Sequence, residues 1–88
     1  MFTRLFTVIR GYHHAPALAL IVGSTVHGAP GVYHYLPFGT ELTLDQEAPN
    51  GNVWFMFDGA DGRRLRGKSE SGSVENMVRA GVLAEVAQ

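Results

Sequence analysis

Apolar and polar residues alternate along much of this chain with a period of two, which is the pattern of half-buried β-strands. Residues 40–45 alternate most cleanly, and the apolar and aromatic run at 53–57 suits a pleated, half-buried strand. A turn with two glycines and two aspartates follows at 58–62, and four of the next six residues are cations. The pattern therefore predicts a β-hairpin formed by residues 53–57 and 63–68.

Short strands are also predicted elsewhere in the chain, at residues 2–10, 17–22, 24–27, 32–36, 40–45 and 82–86. A Gly-Ala-Pro-Gly loop at 28–31 and an Asn-Gly pair at 50–51 supply the turns of two further hairpins. The sequence thus predicts a chain made mainly of short antiparallel strands.

One helix is predicted near the end of the chain, at residues 74–80. Ser73 can cap its start, and Gly81 can end it in the left-handed conformation. The Ser- and Gly-rich stretch 68–72 before the helix is expected to be a mobile loop.

The two turns also give a predicted register for the central strands. Closing the hairpin at 50–51 places Leu44 opposite Phe57, and closing the turn at 58–62 places Phe57 opposite Arg63. Directly opposed residues share a face, so the core side collects the apolar residues Leu42, Leu44, Val53, Phe55, Phe57 and Leu65. The other face carries polar and aromatic residues, namely Glu41, Thr43, Asp45, Glu47, Trp54, Met56, Arg64, Arg66 and Lys68.

This polar and aromatic face is the first candidate binding surface. Exposed Trp and Arg side chains are favoured at protein interfaces, which makes the candidate binding residues Trp54, Met56, Arg64, Arg66 and Lys68. Arg66 lies opposite Trp54 in the predicted register and can form a cation–π contact with it. A solvated face whose charges flank a half-covered Trp54 is the alternative interpretation.

Tyrosine and histidine form a second candidate surface. Residues 11–40 contain no Asp, Glu, Lys or Arg, yet they hold all four histidines. Tyr33 and Tyr35 offer apolar area with a polar tip and suit a protein partner, although an ordinary core edge has the same composition. His27 and His34 are diagonal neighbours in the predicted hairpin, but zinc needs three or four ligands and no recognised spacing is present. We therefore predict no metal and no other cofactor.

Several turn motifs occur in a characteristic order in the middle of the chain. Leu-Pro-Phe-Gly-Thr at 36–40 begins a predicted strand, Asn-Val-Trp-Phe at 52–55 forms the aromatic strand, and Asp-Gly-Arg at 61–63 forms a turn. A Gly- and Pro-containing loop lies upstream, within 26–31. Over roughly residues 26–68 this order resembles the bacterial SH3-like (SH3b) domains. The resemblance implies a small barrel that binds peptides, cell-wall fragments or protein partners.

Length and composition set the scale of the fold. The chain has 88 residues, 45% hydrophobic and 17% charged, which describes one small domain over residues 1–88. Eleven glycines and four prolines indicate many turns. We predict a mostly β (α+β) fold, either a small SH3-like barrel or a strongly bent antiparallel sheet, with one short C-terminal helix.

Charge and residue usage narrow the function classes. The formal net charge of −1 gives no global attraction for nucleic acid or an anionic membrane, and no segment is long and apolar enough to predict a membrane partner. The absence of cysteine excludes thiolate zinc sites and a Cys nucleophile, and it suits a cytoplasmic location. No phosphate-binding loop, nucleophile elbow or two-His metalloprotease motif is present, so we predict no enzyme activity.

The predicted function is a non-catalytic protein-binding module, either an adaptor or an inhibitor of a larger protein; an inhibitor of phage or mobile-element type would fit. The alternative is nucleic-acid binding through Trp54, Arg64, Arg66 and Lys68, because cations beside an aromatic strand form a stacking platform. A His-dependent metal protein or enzyme is the weakest of the three. A homodimer formed through a predicted edge strand at 2–10 is also open.

Overall fold

Seven strands and one short helix make up the part of the chain that the computed structural model describes, residues 3–23, 31–49, 51–69 and 72–87. The strands are, in chain order, β1 (Leu5–Val8), β2 (Ala17–Val22), β3 (Val32–Pro37), β4 (Glu41–Glu47), β5 (Val53–Asp58), β6 (Arg64–Ser69) and β7 (Leu83–Glu85). The helix α1 covers Val74–Arg79, and a turn of 3-10 helix covers Tyr12–His14 between β1 and β2.

The strands form one antiparallel sheet with the order β3-β2-β6-β5-β4-β1-β7. The consecutive strands β4, β5 and β6 form a meander, and the β2–β3 hairpin adds to its β6 edge. The predicted mostly β fold with one short helix is therefore confirmed. Within the described residues β3 and β7 each pair on one side only, so the sheet is not closed into the barrel that was one of the two predicted forms.

The strand β1 is shorter than predicted and lies inside the sheet. It covers residues 5–8 of the predicted 2–10, and Phe6 pairs with Leu42 of β4 on one side and with Glu85 of β7 on the other. The prediction that this strand is an edge available to a second copy was wrong. In the described part of the chain the edges are β3 and β7, while the strand predicted at 24–27 lies outside that part.

The hydrophobic core lies on one side of the sheet, beneath helix α1. Its buried members come from the helix, the segment after it and six of the strands: Phe6, Val8, Leu18, Leu20, Leu36, Leu42, Val53, Phe55, Phe57, Val74, Met77, Val82 and Leu83. The sheet bends around this core. The rings of His34 on β3 and Phe57 on β5 lie 6.0 Å apart, whereas strands separated by two others in a flat sheet lie about 14 Å apart.

The helix begins and ends as its sequence predicts. The Ser73 hydroxyl accepts a hydrogen bond from the Asn76 amide, and Gly81 has a φ of +78° just after the helix. A second side chain completes the N-terminus, because Oε2 of Glu47 accepts the Val74 amide at 3.0 Å. The helix is thereby tied to the end of β4.

A β-bulge at Asp45 explains why Glu47 reaches the helix. Leu44 lies opposite Phe55 and Gln46 lies opposite Trp54, so Asp45 is an extra residue on β4. The predicted pairing of Leu44 with Phe57 was wrong by two residues. The extra residue also reverses the alternation beyond it, which turns Glu47 from the predicted polar face to the core side.

The β5–β6 hairpin also closes two residues away from the predicted register. Phe57 pairs with Leu65 rather than with Arg63, and Phe55 pairs with Gly67. Because the shift is an even number, Arg64, Arg66 and Lys68 keep the face predicted for them. Lys68 and Ser69 belong to β6, which corrects that part of the mobile loop predicted at 68–72; residues 70–71 lie outside the described part.

The pairing at Gly67 brings three strands unusually close together on the core side. A Cβ at this position would lie 2.9 Å from the Cβ of Leu20 and 3.0 Å from a ring carbon of Phe57. Both of those side chains are buried, so glycine permits the approach of β2 and β5 to β6.

Candidate binding face

The side of the sheet opposite the core, here called the outer face, carries one row of paired residues that crosses five strands. In the row Tyr33, Ile21, Lys68, Trp54 and Gln46, each residue is the direct cross-strand partner of the next. Direct partners share a face, so both surfaces predicted from the sequence lie on this one face. The pairing of β2 with β6 joins them.

Two cations lie over the ring of Trp54 in this row. The guanidinium carbon of Arg66 lies 4.0 Å from the centroid of the indole, and the Lys68 ammonium lies 5.8 Å from it. The predicted cation–π contact with Arg66 is therefore present. Lys68, rather than Arg66, is the residue directly opposite Trp54, because of the two-residue shift in the hairpin.

Arg66 is itself fixed by the β4 bulge. Its Nε donates to Oδ2 of Asp45 at 2.7 Å, and its Nη2 donates to Oε1 of Gln46 at 3.1 Å. The guanidinium plane is thus bonded along one edge while it covers the Trp54 ring. This arrangement holds the half-buried indole in place and neutralises the Arg66 charge within the face.

Three other predicted binding residues lie on this half of the outer face, and they differ in how far they are paired. Arg64 donates to Oδ1 of Asp58 at 3.2 Å and to the Thr43 hydroxyl at 3.1 Å. Met56 lies between Thr43 and Arg66 in the adjacent cross-strand row and is half-buried. Lys68 forms no ion pair with another described residue. Two of the three predicted binding cations therefore already have carboxylate partners.

The tyrosine half of the outer face is exposed and uncharged. Tyr33 and Tyr35 are 53% and 68% exposed, and their rings are stacked with centroids 6.4 Å apart and an interplanar angle of 25°. Their cross-strand partners on β2 are Ile21 and Ala19. The rings therefore stand beside an aliphatic strip that leads to Lys68 and Trp54.

A cleft opens at the end of the outer face beside the 3-10 turn. It has a volume of about 540 Å³, and its lining is apolar: Tyr12, Ala15, Pro16, Ala17, Leu18, Ala19 and Tyr35. Burial raises the pKa of the Tyr12 phenol. The sequence analysis did not predict this cleft, although the three alanines at 15, 17 and 19 were a usable signal, since alanine is depleted in strands.

The turn that carries Tyr12 has a strained backbone. His13 and His14 have φ values of +56° and +62°, in the left-handed region that costs a non-glycine residue about 1–2 kcal/mol. Nδ1 of His14 accepts a hydrogen bond from Nη1 of Arg10 at 2.9 Å, and Nη2 of Arg10 donates to the carbonyl of Ala80. These contacts fasten the turn to the C-terminal end of helix α1.

The described histidines do not converge on a metal site. His34 pairs with Leu20 and stands on the core side, edge-on to the ring of Phe57. His14 uses its Nδ1 on Arg10. Among the described residues no group of three His, Cys, Asp or Glu side chains is placed to hold a metal ion. His27 of the predicted His27–His34 pair lies outside the described residues.

An ion pair away from the outer face links the segment before β1 to the edge strand β7. Arg4 donates from Nε and Nη2 to the two carboxylate oxygens of Glu85, both at 2.8 Å. The hydrogen bond from Arg4 lowers the pKa of Glu85, and the same bond raises the pKa of Arg4. This pair links the segment before β1 to β7 and adds nothing to the candidate binding face.

Comparison with protein-family models, with curated proteins and with solved structures gave no significant match. None of the helices in the described part of the chain is long and apolar enough to cross a membrane.

Proposed function

We propose that this protein is a non-catalytic binding module whose partner is another protein and covers the outer face. The observation that carries the proposal is the continuous row from Tyr33 through Ile21 and Lys68 to Trp54. Tyr, Trp and Arg are the residues most often found at the energetic centres of protein interfaces. An adaptor or an inhibitor of a larger protein is the role that such a face serves.

The state of the charges supports a protein partner. Arg66 and Arg64 are paired with Asp45 and Asp58 inside the face, so a partner that covers them meets little uncompensated charge. The indole of Trp54 is already fixed by Arg66, which lowers the entropy lost when a partner packs on it. Both features favour burial of this surface.

The order of the strands also agrees with the resemblance noted above. The strand β4 after Thr40, the aromatic strand β5 and the turn before Arg64 follow one another as that resemblance implies. A relationship to SH3b domains is part of the proposal at the level of these central strands, and the function is argued from the face itself.

Nucleic-acid binding is the second candidate function, because Lys68 has no ion-pair partner among the described residues and lies beside aromatic rings. Stacked aromatic side chains next to a cation are the usual platform for single strands. With the arginines paired, we expect contact with about one phosphate, which gives a salt dependence with a log–log slope of roughly −1.

The experiment that tests the proposal is capture of partners from a source-cell lysate, with and without nuclease, by the protein and its variants. We expect a stoichiometric protein that survives nuclease, is lost with Trp54→Ala and is weakened by Tyr33→Ala with Tyr35→Ala. Val78→Ala is the matched control, since Val78 is exposed on helix α1, on the other side of the sheet.

Each alternative gives a different result in this experiment. Capture that disappears with nuclease, and with Lys68→Glu, indicates nucleic-acid binding. A partner retained equally by the Trp54 and Val78 variants excludes the Trp54 part of the face and moves the site to the tyrosines. Retention by all the variants refutes the proposal.

A further inference from the structure

The cleft beside the 3-10 turn exists because β2 carries its smallest side chains there. Ala17 and Ala19 point to the outer face, as Ile21 does, but leave space where a larger strand residue would fill it. Tyr12 and Tyr35 also line this space. Its lining therefore combines small apolar side chains with two aromatic ones.

The position of Tyr12 depends on backbone that is strained. The two residues after it, His13 and His14, both adopt left-handed conformations, and the contacts of Arg10 hold the turn in place. Strain of this kind persists where the surrounding structure maintains it, and it is concentrated at ligand and binding sites. The strained turn therefore fixes the place of Tyr12 at the cleft.

The chemistry of the cleft selects a neutral occupant. No charged side chain lines it, and residues 11–40 contain no Asp, Glu, Lys or Arg at all. A charged group inside would lose water without gaining a partner, whereas an apolar group gains contact with the alanines and rings. Its volume lies within the usual range of ligand sites, about 300–1,000 Å³.

We infer that this cleft is the anchor pocket of the binding face: it accepts a neutral apolar side chain, aromatic or branched aliphatic, from the protein partner. The inference rests on the proposed function, because the cleft continues the tyrosine half of the outer face through Ala19 and Tyr35. Lys68 has no described ion-pair partner and lies across from Ile21, two residues along β2 from Ala19. A carboxylate of the partner next to the anchor side chain meets this ammonium.

The test uses blocked amino acids as probes, so that no partner has to be known. N-acetyl-tryptophanamide and N-acetyl-leucinamide are titrated into the full chain and followed by two-dimensional NMR, with N-acetyl-aspartamide as the charged comparison. We expect dissociation constants on the order of 1–10 mM for the two apolar probes. The largest shifts are expected at Tyr12, Ala17, Ala19 and Tyr35.

A cleft-filling variant decides whether those shifts come from the cleft. Ala19→Leu should weaken binding of the tryptophan probe at least about tenfold. Ala84→Leu is the matched control, because Ala84 is exposed on β7, shares the outer face through Thr7 and Glu41, and does not line the cleft. Tyr35→Ala removes a wall that is largely exposed and gives a second route to the same loss should Ala19→Leu fail to fold.

Three results overturn the inference: no shifts up to the solubility limit, equal binding of the aspartate probe, or unchanged tryptophan binding in the folded Ala19→Leu or Tyr35→Ala protein. A captured partner whose binding is unaffected by Ala19→Leu also overturns it, while the proposed function stands if Trp54→Ala removes that partner. The probe titration measures binding to the cleft without any partner. Failure of the proposed function is therefore seen only in the capture experiment.

Discussion

Removal of Arg66 is the perturbation that best tests how the Trp54 surface is held. Its guanidinium makes an ion pair with Asp45, a hydrogen bond with Gln46 and a cation–π contact with Trp54. Arg66→Ala removes all three contacts at once. Arg66→Lys keeps the charge but loses the planar fork that forms the two hydrogen bonds side by side.

The magnitude follows from the exposure of these groups. The Arg66 and Asp45 side chains are 35% and 39% exposed, so the ion pair is screened and contributes about 0.2–1 kcal/mol. The cation–π contact at 4.0 Å adds about 0.5–1 kcal/mol at a site of this kind. We expect Arg66→Ala to lower the free energy of unfolding by about 1–2 kcal/mol, and Arg66→Lys by about half of that.

The assay is urea unfolding followed by circular dichroism, because Trp54 is the only tryptophan and its variants lose the fluorescence signal. A double-mutant cycle of Arg66→Ala with Trp54→Ala isolates the cation–π coupling, expected at about 0.5–1 kcal/mol. Arg63→Ala is the control, since the Arg63 side chain is exposed and bonded to no described residue; it should change stability by less than about 0.5 kcal/mol.

Two outcomes refute this reasoning. If Arg66→Ala is no more destabilising than Arg63→Ala, the contacts around Trp54 do not contribute to stability. If the cycle gives no coupling while Arg66→Ala is destabilising, the guanidinium acts through Asp45 and Gln46 and does not fix the indole.

Three further predictions concern the frame of the sheet. Gly67→Ala should lower the free energy of unfolding by about 1–3 kcal/mol, measured by urea titration, because the new methyl group would lie 2.9 Å from the Cβ of Leu20; an unchanged midpoint contradicts this packing. Glu47→Ala should lower the free energy of unfolding by about 1 kcal/mol in the same assay, because the Val74 amide loses its acceptor. Glu47→Gln keeps an acceptor and should lower it by less; equal losses in the two variants contradict the capping role. The lowered pKa of Glu85 beside Arg4 means that this pair stabilises the fold at neutral pH and ceases to do so as the pH falls through that pKa, below the ordinary carboxyl value of about 4.3. Glu85→Gln should therefore lower the melting temperature at pH 7, and this loss should shrink as the pH falls below the ordinary carboxyl pKa; a loss independent of pH contradicts the sign.

The sequence predicted helices and strands well where the residues that define them lie close together in the chain. The helix follows from Ser73 and Gly81, and the β5–β6 hairpin follows from the turn between its aromatic and basic strands. The strand at Ala17–Val22 has the predicted bounds. Each of these depends on capping, turn chemistry or an apolar run within about ten residues.

The register of the central strands could not be predicted from the turn signals. In the β4–β5 hairpin one residue of the displacement lies at the turn, where Glu47 pairs with Val53, and the other is the extra residue in β4. The bulge at Asp45 shows no pattern of its own in the alternating run from Glu41 to Glu47. It displaces the pairing of Leu44 and turns Glu47 to the core side. The faces of β6 were nevertheless predicted correctly, since the error there was two residues and side chains alternate with a period of two.

The unity of the candidate face was missed for a different reason. The two predicted surfaces lie on segments far apart in sequence, and β2 meets β6 through long-range pairing that no local motif encodes. The cleft depends on the same assembly, because Tyr12 and Tyr35 approach each other only when the 3-10 turn packs on the β2–β3 hairpin.

The joint between β2 and β6 has a consequence for folding. It consists of two residue pairs, Ile21 with Lys68 and Val22 with Gly67, which lie 45 to 47 positions apart in the chain. Closing so long a loop is slow and entropically costly, so the hairpin and the meander are expected to form before they join. The outer face is complete only after that last step. A partner that spans the joint binds only the joined form. It will therefore slow hydrogen exchange at Ile21 and Lys68 more than at other residues that it covers.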